Sequence, residues 1–436
     1  MATRVRKIWK FSLVILLIAI TVLIIFTIVD NPELIGGKGD SLKPLSSPKT
    51  VNISTHVDGI YTITRDELAK HGYFINDSEI GQLRLTLRGV PQTLSVIKNN
   101  GGSTLLFYAQ ESDSDYVVEN VYQLTREDDL VSTTTVYESM SIKSAGQLVQ
   151  GDTNYLKHLK LEENRIYNPT VVDGDNWLWD TIISTQEKSL KFLVGDLAEG
   201  SGRIIINIWA NTESSITPDH HILVSLNGYE VSDLVWDGSG WHQVEIKFFS
   251  SALINGENTL LIKLPGDTGA AVENISIDSI EIDYPRQSIA ERGLLIFNSG
   301  AAPLIIRNLE GRVIVVDITN RDITEVVDLF RVDESPVSFQ GVPGHKYIVA
   351  DAEGWLAPSR ISLPWEAPDL REDNLGANYV VIGRDELLKD LEPLLKLRQS
   401  QGLEVFSIPV EALYDQFNYG LGEPEAISMF LNYATE

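Results

Sequence analysis

The 436-residue chain contains no cysteine, so no disulfide stabilises it and no thiolate is available as a nucleophile. Basic residues are also scarce: 35 Lys and Arg stand against 61 Asp and Glu, which gives a formal net charge of −26. Because a strongly acidic surface repels a polyanion, we expect no nucleic-acid partner. A chain of this length can be stabilised instead by several large hydrophobic cores. An exported protein without cysteine is more typical of a prokaryotic surface than of a eukaryotic secretory route.

Charged residues are absent from one long apolar run, which begins at Phe11 and ends at Val29. As a helix this run would span about 28 Å, close to the thickness of a bilayer core. Residues 1–10 carry four basic side chains and no acidic one, which predicts a cytoplasmic basic tail and places the rest of the chain outside the cell. We therefore predict a single-pass signal anchor in the cell membrane; a cleaved signal peptide is the alternative. The exported remainder then carries a formal charge of −30, because the first 29 residues contribute four positive charges.

The next two segments predict a spacer and a small module. Residues 30–51 are rich in Gly, Ser, Pro and Lys, which is typical of a stalk linker. Residues 52–130 contain short alternating polar and apolar runs, which indicate a small β-rich N-terminal module. Thr64 and Glu67 form a capping-box pattern, which predicts a short helix that ends near Gly72.

Residues 155–286 contain strands separated by turn residues at the spacing of an antiparallel, jelly-roll-like β-sandwich. The six predicted strands cover residues 189–194, 203–210, 221–226, 240–248, 259–263 and 276–284. Residues 287–368 add a further β segment and a proline-containing connector. We therefore expect a multidomain, mainly β protein.

Residues 369–436 change from this β pattern to an α/β pattern. A strand at 378–383 is followed by leucines at helical spacing, and Pro393 should divide that helix. A second strand follows at 403–408, and another helix begins near Pro424. Two parallel strands are too few for a self-sufficient domain, so we expect an α/β domain of which only the start is present.

Four ordered stretches of this region resemble the entry to the catalytic domain of gingipain-type cysteine peptidases. They are ANYVVI at 377–382, LKLRQSQGLEV at 395–405, VEALYDQFNYG at 410–420 and PEAI at 424–427. The N-terminal module is similar to the β-rich module that precedes such domains, through GIYTIT at 59–64 and NVYQLT at 120–125. The resemblance implies a caspase-like α/β fold, with a His-Gly and a Cys further along the sequence as general base and nucleophile.

We therefore expect the membrane-anchored, extracellular N-terminal portion of a gingipain-like cysteine endopeptidase, with the catalytic His and Cys absent from this chain. No proteolysis is expected of the chain as it stands, and a protein substrate is expected only for the complete peptidase. The alternative is a non-catalytic cell-surface protein whose β-sandwich binds a glycan or another protein.

Five tryptophans of the sandwich region bear on that alternative, because exposed aromatic rings often bind sugars. They are Trp177, Trp179, Trp209, Trp236 and Trp241. We expect them to pack in the core or between domains instead. Trp209 continues an alternating strand and is expected on its inward face, and Trp177 and Trp179 are expected to share a face.

Calcium is the one cofactor that the sequence suggests. Asp173, Asp175 and Asn176 offer oxygen ligands on a tight turn, as many calcium loops do at their start. No bidentate acid follows in register, so an Asx turn is the alternative. The adjacent His220 and His221 should point to opposite faces of a strand and therefore cannot readily share one metal ion.

Overall fold

The computed structural model describes residues 48–99, 102–114, 116–127, 134–138, 142–172, 174–371 and 376–435. Over these ranges the chain is mainly β and forms several sheets, as the sequence predicts. None of the helices in the described ranges is long and apolar enough to cross a membrane. The predicted membrane helix at residues 11–29 and most of the predicted stalk lie outside the described residues.

The N-terminal module consists of two facing sheets and one short helix. Its elements are β1 (Thr50–Thr55), β2 (Gly59–Thr64), α1 (Arg65–Lys70), β3 (Leu83–Leu87), β4 (Val90–Gln92), β5 (Ser95–Asn99), β6 (Gly102–Ala109), β7 (Asn120–Arg126) and β8 (Thr135–Glu138). Strands β1, β7, β3 and β4 form sheet 1, and β2, β6, β5 and β8 form sheet 2. The predicted capping box is confirmed: Glu67 N donates to Thr64 Oγ1 at 3.2 Å, and Thr64 N donates to Glu67 Oε2 at 2.7 Å.

Two antiparallel sheets face each other in the next region. Its strands are β9 (Asn154–Glu162), β10 (Ile166–Tyr167), β11 (Trp177–Leu178), β12 (Asp180–Ile183), β13 (Glu187–Val194), β14 (Ser201–Ala210), β15 (His220–Leu226), β16 (Tyr229–Trp236), β17 (Gly240–Phe249), β18 (Gly256–Lys263) and β19 (Asn274–Gln287). One sheet has the order β12-β19-β14-β17, with β9 also on β19, and the other has the order β13-β18-β15-β16. Alternate residues of β14, namely Ile204, Ile206 and Ile208, are fully buried between the sheets, as the period of a half-buried strand requires.

The following segment forms a further sheet, which we name sheet 3, and this sheet packs on the N-terminal module. Its strands are β20 (Leu294–Asn298), β21 (Leu304–Ile306), β22 (Gly311–Asp317), β23 (Glu325–Val332), β24 (Val337–Phe339), β25 (Lys346–Asp351) and β26 (Arg360–Ser362). Sheet 3 has the order β20-β25-β22-β23, and one of its faces shares a core with sheet 2 through Ile314, Ile348 and Leu106. Its other face covers the β21–β24 pair. Strand β26 pairs with β1 and completes sheet 1. The N-terminal module and the segment after the sandwich therefore share a core, although about 150 residues separate them in sequence.

The C-terminal segment has the predicted βαβ arrangement. Its elements are β27 (Tyr379–Gly383), α2 (Asp385–Asp390), α3 (Glu392–Ser400), β28 (Val405–Pro409), α4 (Val410–Phe417) and α5 (Glu425–Thr435). Strands β27 and β28 pair in parallel. The helix is divided at Leu391, two residues before Pro393, as a proline in the following turn predicts. Helix α4 was not predicted; it begins directly after Pro409 and buries Ala412 and Leu413.

Candidate functional site

The C-terminal segment is joined to the N-terminal module through a mostly buried carboxylate on α4. Asp415 Oδ1 accepts a hydrogen bond from Asn52 Nδ2 at 2.7 Å, and Oδ2 accepts one from Trp365 N at 2.5 Å. Asn52 lies on β1 and is 6% exposed. Burial raises the pKa of Asp415, although the two hydrogen bonds and the charge of Arg360 oppose the increase. Oδ1 of Asp415 thus joins α4 to the N-terminal module, and Oδ2 joins α4 to the connector at Trp365.

A second carboxylate repeats this arrangement before α5. Glu423 Oε2 accepts from Asn418 Nδ2 at 3.0 Å, and its Oε1 accepts from Arg88 Nη2 at 3.3 Å. Burial alone would raise the pKa of Glu423, but hydrogen bonds from Ser114 and Asn418 and the charge of Arg88 outweigh it, so the pKa is lowered. Arg88 belongs to the turn between β3 and β4 and has a positive φ of 49°. Sheet 1 therefore holds the turn between α4 and α5 with an ion pair.

The backbone between these two carboxylates approaches the module closely. Gly420 has φ of 88°, and a Cβ there would lie 3.0 Å from Asn52 Nδ2 and from Val121 Cγ1. Glycine suits the site because it has no Cβ and tolerates a positive φ. The groups at this junction donate and accept hydrogen bonds between elements. The arrangement is that of a docking interface, and the sequence patterns did not reveal Asn52, Asp415 or Glu423 as parts of it.

The predicted calcium turn is only partly described, because Asp173 lies outside the described residues. Asp175 Oδ1 accepts a hydrogen bond from Trp177 N at 2.8 Å, the contact of an Asx turn. Asn176 Nδ2 donates to Asn168 O at 3.1 Å and to Val171 O at 3.0 Å. The side-chain amide of Asn176 thus stabilises its own loop through hydrogen bonds to the backbone.

Asp175 also belongs to a cluster of three carboxylates that the sequence did not indicate. Glu162 at the end of β9, Asp175 and Asp278 on β19 each bring a carboxylate oxygen within 4.8 Å of the others. Oδ1 of Asp278 is buried and has no hydrogen-bond partner among the described residues, while Oδ2 accepts from Ser279 Oγ at 2.8 Å. Burial, and then the charges of Glu162 and Asp175, raise the pKa of Asp278.

These three carboxylates fit a hard cation such as Ca²⁺, which prefers oxygen ligands and would relieve their mutual repulsion. The partnerless Oδ1 of Asp278 is the atom that such an ion would satisfy. Lys160 already contacts Glu162 and partly neutralises the cluster. Calcium binding therefore stays a prediction, with Glu162 and Asp278 beside Asp175 as the side chains that could hold the ion.

The tryptophans differ in their environments. Trp179 is 8% exposed and lies in the sandwich core, as expected. The expectation for Trp209 was wrong: Ile208 points inward, so its neighbour Trp209 lies on the outer face, where its ring meets that of Trp241 edge to face at 5.5 Å. Trp177 is 46% exposed and does not share the buried environment of Trp179, because the chain leaves β11 between them.

The two adjacent histidines of β15 point to opposite faces, as predicted. His220 is 1% exposed and its ring stacks on Trp236 with centroids 5.0 Å apart. The ring nitrogens of His221 instead face Asp267 and Asp233 on the outer surface. The pair therefore cannot share one metal ion.

The fold is thus that of stacked β sheets to which a parallel α/β unit of two strands is docked. Residues 372–436 match the family model described as peptidase family C25. The match confirms the resemblance to gingipain-type cysteine peptidases. No sequence among the curated proteins is significantly similar to this chain.

Solved structures extend the likeness beyond the C-terminal segment. The crystal structure of dimeric latent PorU from Porphyromonas gingivalis superposes with a TM-score of 0.57 at 14% identity, and the match covers 89% of this chain and 40% of that one. The chain therefore shares a fold with two fifths of that structure. The CBM36-1 domain of a multidomain xylanase from the hindgut metagenome of Trinervitermes trinervoides matches 29% of this chain at 13% identity, with 96% of that domain covered. Its TM-score of 0.20 is too low to indicate a shared overall fold.

Proposed function

We propose that this chain is the N-terminal portion of a membrane-anchored, extracellular, gingipain-like cysteine endopeptidase. The observation that carries the proposal is that the segment matching peptidase family C25 is docked on the N-terminal module. In this function the β modules provide the surface on which the first elements of the peptidase domain are docked. Asp415 and Glu423 accept the hydrogen bonds that hold the segment on the module. Burying either carboxylate without a donor such as Asn52 or Arg88 would cost free energy.

The proteolytic chemistry belongs to the complete peptidase. There the thiolate of a cysteine would attack the peptide carbonyl, with a histidine as the general base and backbone N–H groups stabilising the tetrahedral intermediate. This chain has no cysteine, so it supplies docking and presentation and not the nucleophile. A protein substrate is proposed only for the complete enzyme.

The proposed location is the outer face of a prokaryotic cell membrane. Residues 11–29 would cross the bilayer once, with the basic residues 1–10 in the cytoplasm. The remaining chain, with a formal charge of −30, would lie outside and resist association with other acidic surfaces. Protease protection of intact cells, with and without detergent, tests this topology.

The decisive experiment is to express the longest reading frame that contains this sequence and to assay peptide cleavage with and without a thiol alkylator. Cleavage that the alkylator abolishes supports the proposal. Asn52→Ala in the same frame should lower the yield of active enzyme, whereas Asn298→Ala, at an exposed side chain at the end of β20 in sheet 3, should not. An expressed frame with no cleavage, or cleavage indifferent to alkylation, contradicts the peptidase proposal.

A second candidate function, glycan binding by the sandwich region, is favoured by one specific observation. The rings of Tyr167 and Trp177 lie 5.3 Å apart on the β10–β11 pair and are 58% and 46% exposed. Exposed aromatic pairs of this kind can pack against sugar rings. Binding to a glycan array that Trp177→Ala abolishes, and that Tyr229→Ala at another exposed site preserves, would support this function; an array without signal would exclude the tested glycans.

A further inference from the structure

His221 lies between two carboxylates that belong to different elements. Its Nδ1 is 2.6 Å from Asp267 Oδ1, and its Nε2 is 3.0 Å from Asp233 Oδ1. Asp233 is on β16, the hairpin partner of β15, whereas Asp267 is in the loop of residues 264–273, which we name the crossover loop. The crossover loop joins β18 of one sheet to β19 of the other. One imidazole ring thus connects this loop to the surface of the sheet.

The two contacts require a particular protonation state of the ring. A neutral imidazole has one N–H and can donate one hydrogen bond, whereas an imidazolium has two. Ionised carboxylates only accept hydrogen bonds, so both contacts are satisfied together only when His221 carries a positive charge. The side chain of His221 is 14% exposed, which limits the access of water as a substitute partner.

The charged groups that face His221 all favour this state except one. Asp233 faces the ring from β16 and Asp267 faces it from the crossover loop, while the buried Glu273 accepts a hydrogen bond from the backbone N–H of His221. Lys263 on β18 shares the outer face, opposite Leu223, and is the cation there. Burial alone lowers the pKa of His221, but the hydrogen bonds to Asp267 and Asp233 outweigh it, so the pKa is raised above 6.5.

We infer that His221 is a pH-sensitive clasp, which holds the crossover loop on the sheet as an imidazolium and releases the loop when it loses its proton. Because the pKa of His221 is raised in the folded state, the clasp is complete at pH values below about 6.5, the ordinary value, and is lost as the pH rises through the raised value. Two glycines of the loop, Gly266 and Gly269, have φ of 72° and 88°, a conformation that favours glycine.

The C-terminal end of the crossover loop is held by contacts that do not involve the ring of His221. Glu273 is fully buried, and its carboxylate accepts from His221 N at 3.2 Å and from Thr268 Oγ1 at 2.8 Å. Its own N–H donates to Ser184 Oγ at 2.6 Å. Loss of the clasp therefore frees the stretch between Leu264 and Thr268 without unfolding the start of β19.

The test is carried out on the full chain in two measurements. Imidazole nitrogen chemical shifts, assigned to His221 with a His221→Asn variant, should show two protonated nitrogens at pH 6 and a titration above 6.5. Hydrogen exchange of the crossover loop, compared with Asp267→Asn at each pH, should show about two- to fivefold more protection in the wild type below the transition. This modest range is expected because the carboxylate of the pair, Asp267, is 60% exposed. The difference should vanish above the transition.

His158→Gln is the matched control, because His158 is paired with Asp283 at 2.8 Å on the other sheet. This variant should keep the pH dependence of the crossover loop. A His221 ring that titrates at or below 6.5, or loop protection that is equal in the wild type and Asp267→Asn at every pH, would overturn the inference.

Discussion

The contact between Asn52 and Asp415 can be tested by placing a second carboxylate in it. In Asn52→Asp, the donor that now lies 2.7 Å from Asp415 Oδ1 becomes an acceptor with a negative charge. Two like charges about 4 Å apart repel by about 4 kcal/mol at an effective dielectric constant near 20. Asn52→Ala removes the donor without adding charge, and should cost about 1.5–3 kcal/mol, as expected of a hydrogen bond to a charged group. The charged variant should therefore be the less stable of the two.

The pH dependence separates repulsion from simple loss of packing. When the pH falls, one of the two carboxylates in Asn52→Asp takes up a proton and can donate to the other, so the deficit of this variant should shrink. The deficit of Asn52→Ala should change much less. The measurement is hydrogen exchange of the α4 amides between pH 4 and pH 8, which reports the free energy of local opening. Equal exchange in both variants across this range, or a cost of Asn52→Ala below about 0.5 kcal/mol, would refute the docking role of this contact.

Three further changes test the carboxylate cluster and the cores. Calcium should raise the melting temperature of the wild type but not that of Asp278→Asn, while the surface variant Asp333→Asn should respond like the wild type; equal shifts in all three would contradict the calcium prediction. Ile206→Ala should lower the free energy of unfolding by about 2–5 kcal/mol in urea titrations, whereas Ile323→Ala, at a side chain that is 70% exposed, should change it little. Gly293→Ala should destabilise the protein by more than about 1 kcal/mol in the same assay, because φ there is 70° and an added Cβ would lie 2.0 Å from a buried aspartate oxygen; an unchanged midpoint would show that the turn relaxes.

The lowered pKa of Glu423 predicts how the docking of the C-terminal segment depends on pH. A carboxylate whose pKa is lower in the folded state stabilises that state above its ordinary pKa, and the stabilisation is lost as the pH falls through the lowered value. The ion pair with Arg88 should therefore weaken in acid. The crossover loop behaves in the opposite sense, because the pKa of His221 is raised and its clasp is lost as the pH rises.

Local patterns in the sequence were enough to place most of the secondary structure. The alternation of β14, the capping box at Thr64 and Glu67, and the division of the C-terminal helix before Pro393 are all decided by residues a few positions apart. Their physical causes are the two-residue period of a strand, the unsatisfied N–H groups of a helix start and the missing N–H of proline. The ordered resemblance at 377–427 likewise lies within residues 372–436, which match the family model.

Tertiary structure alone decided which distant elements meet. Strand β26 pairs with β1 across about 300 residues, and Glu162, Asp175 and Asp278 come from three separate parts of the chain. No periodicity encodes such partners, because hydrophobic alternation specifies which face of a strand is buried and not which sheet buries it. The inward or outward direction of Trp209 depended on the register of its strand, which a shift of one residue reverses. The sequence by itself therefore determined most of the elements and the family resemblance, whereas the packing of the sheets determined the docking interface, the carboxylate cluster and the clasp at His221.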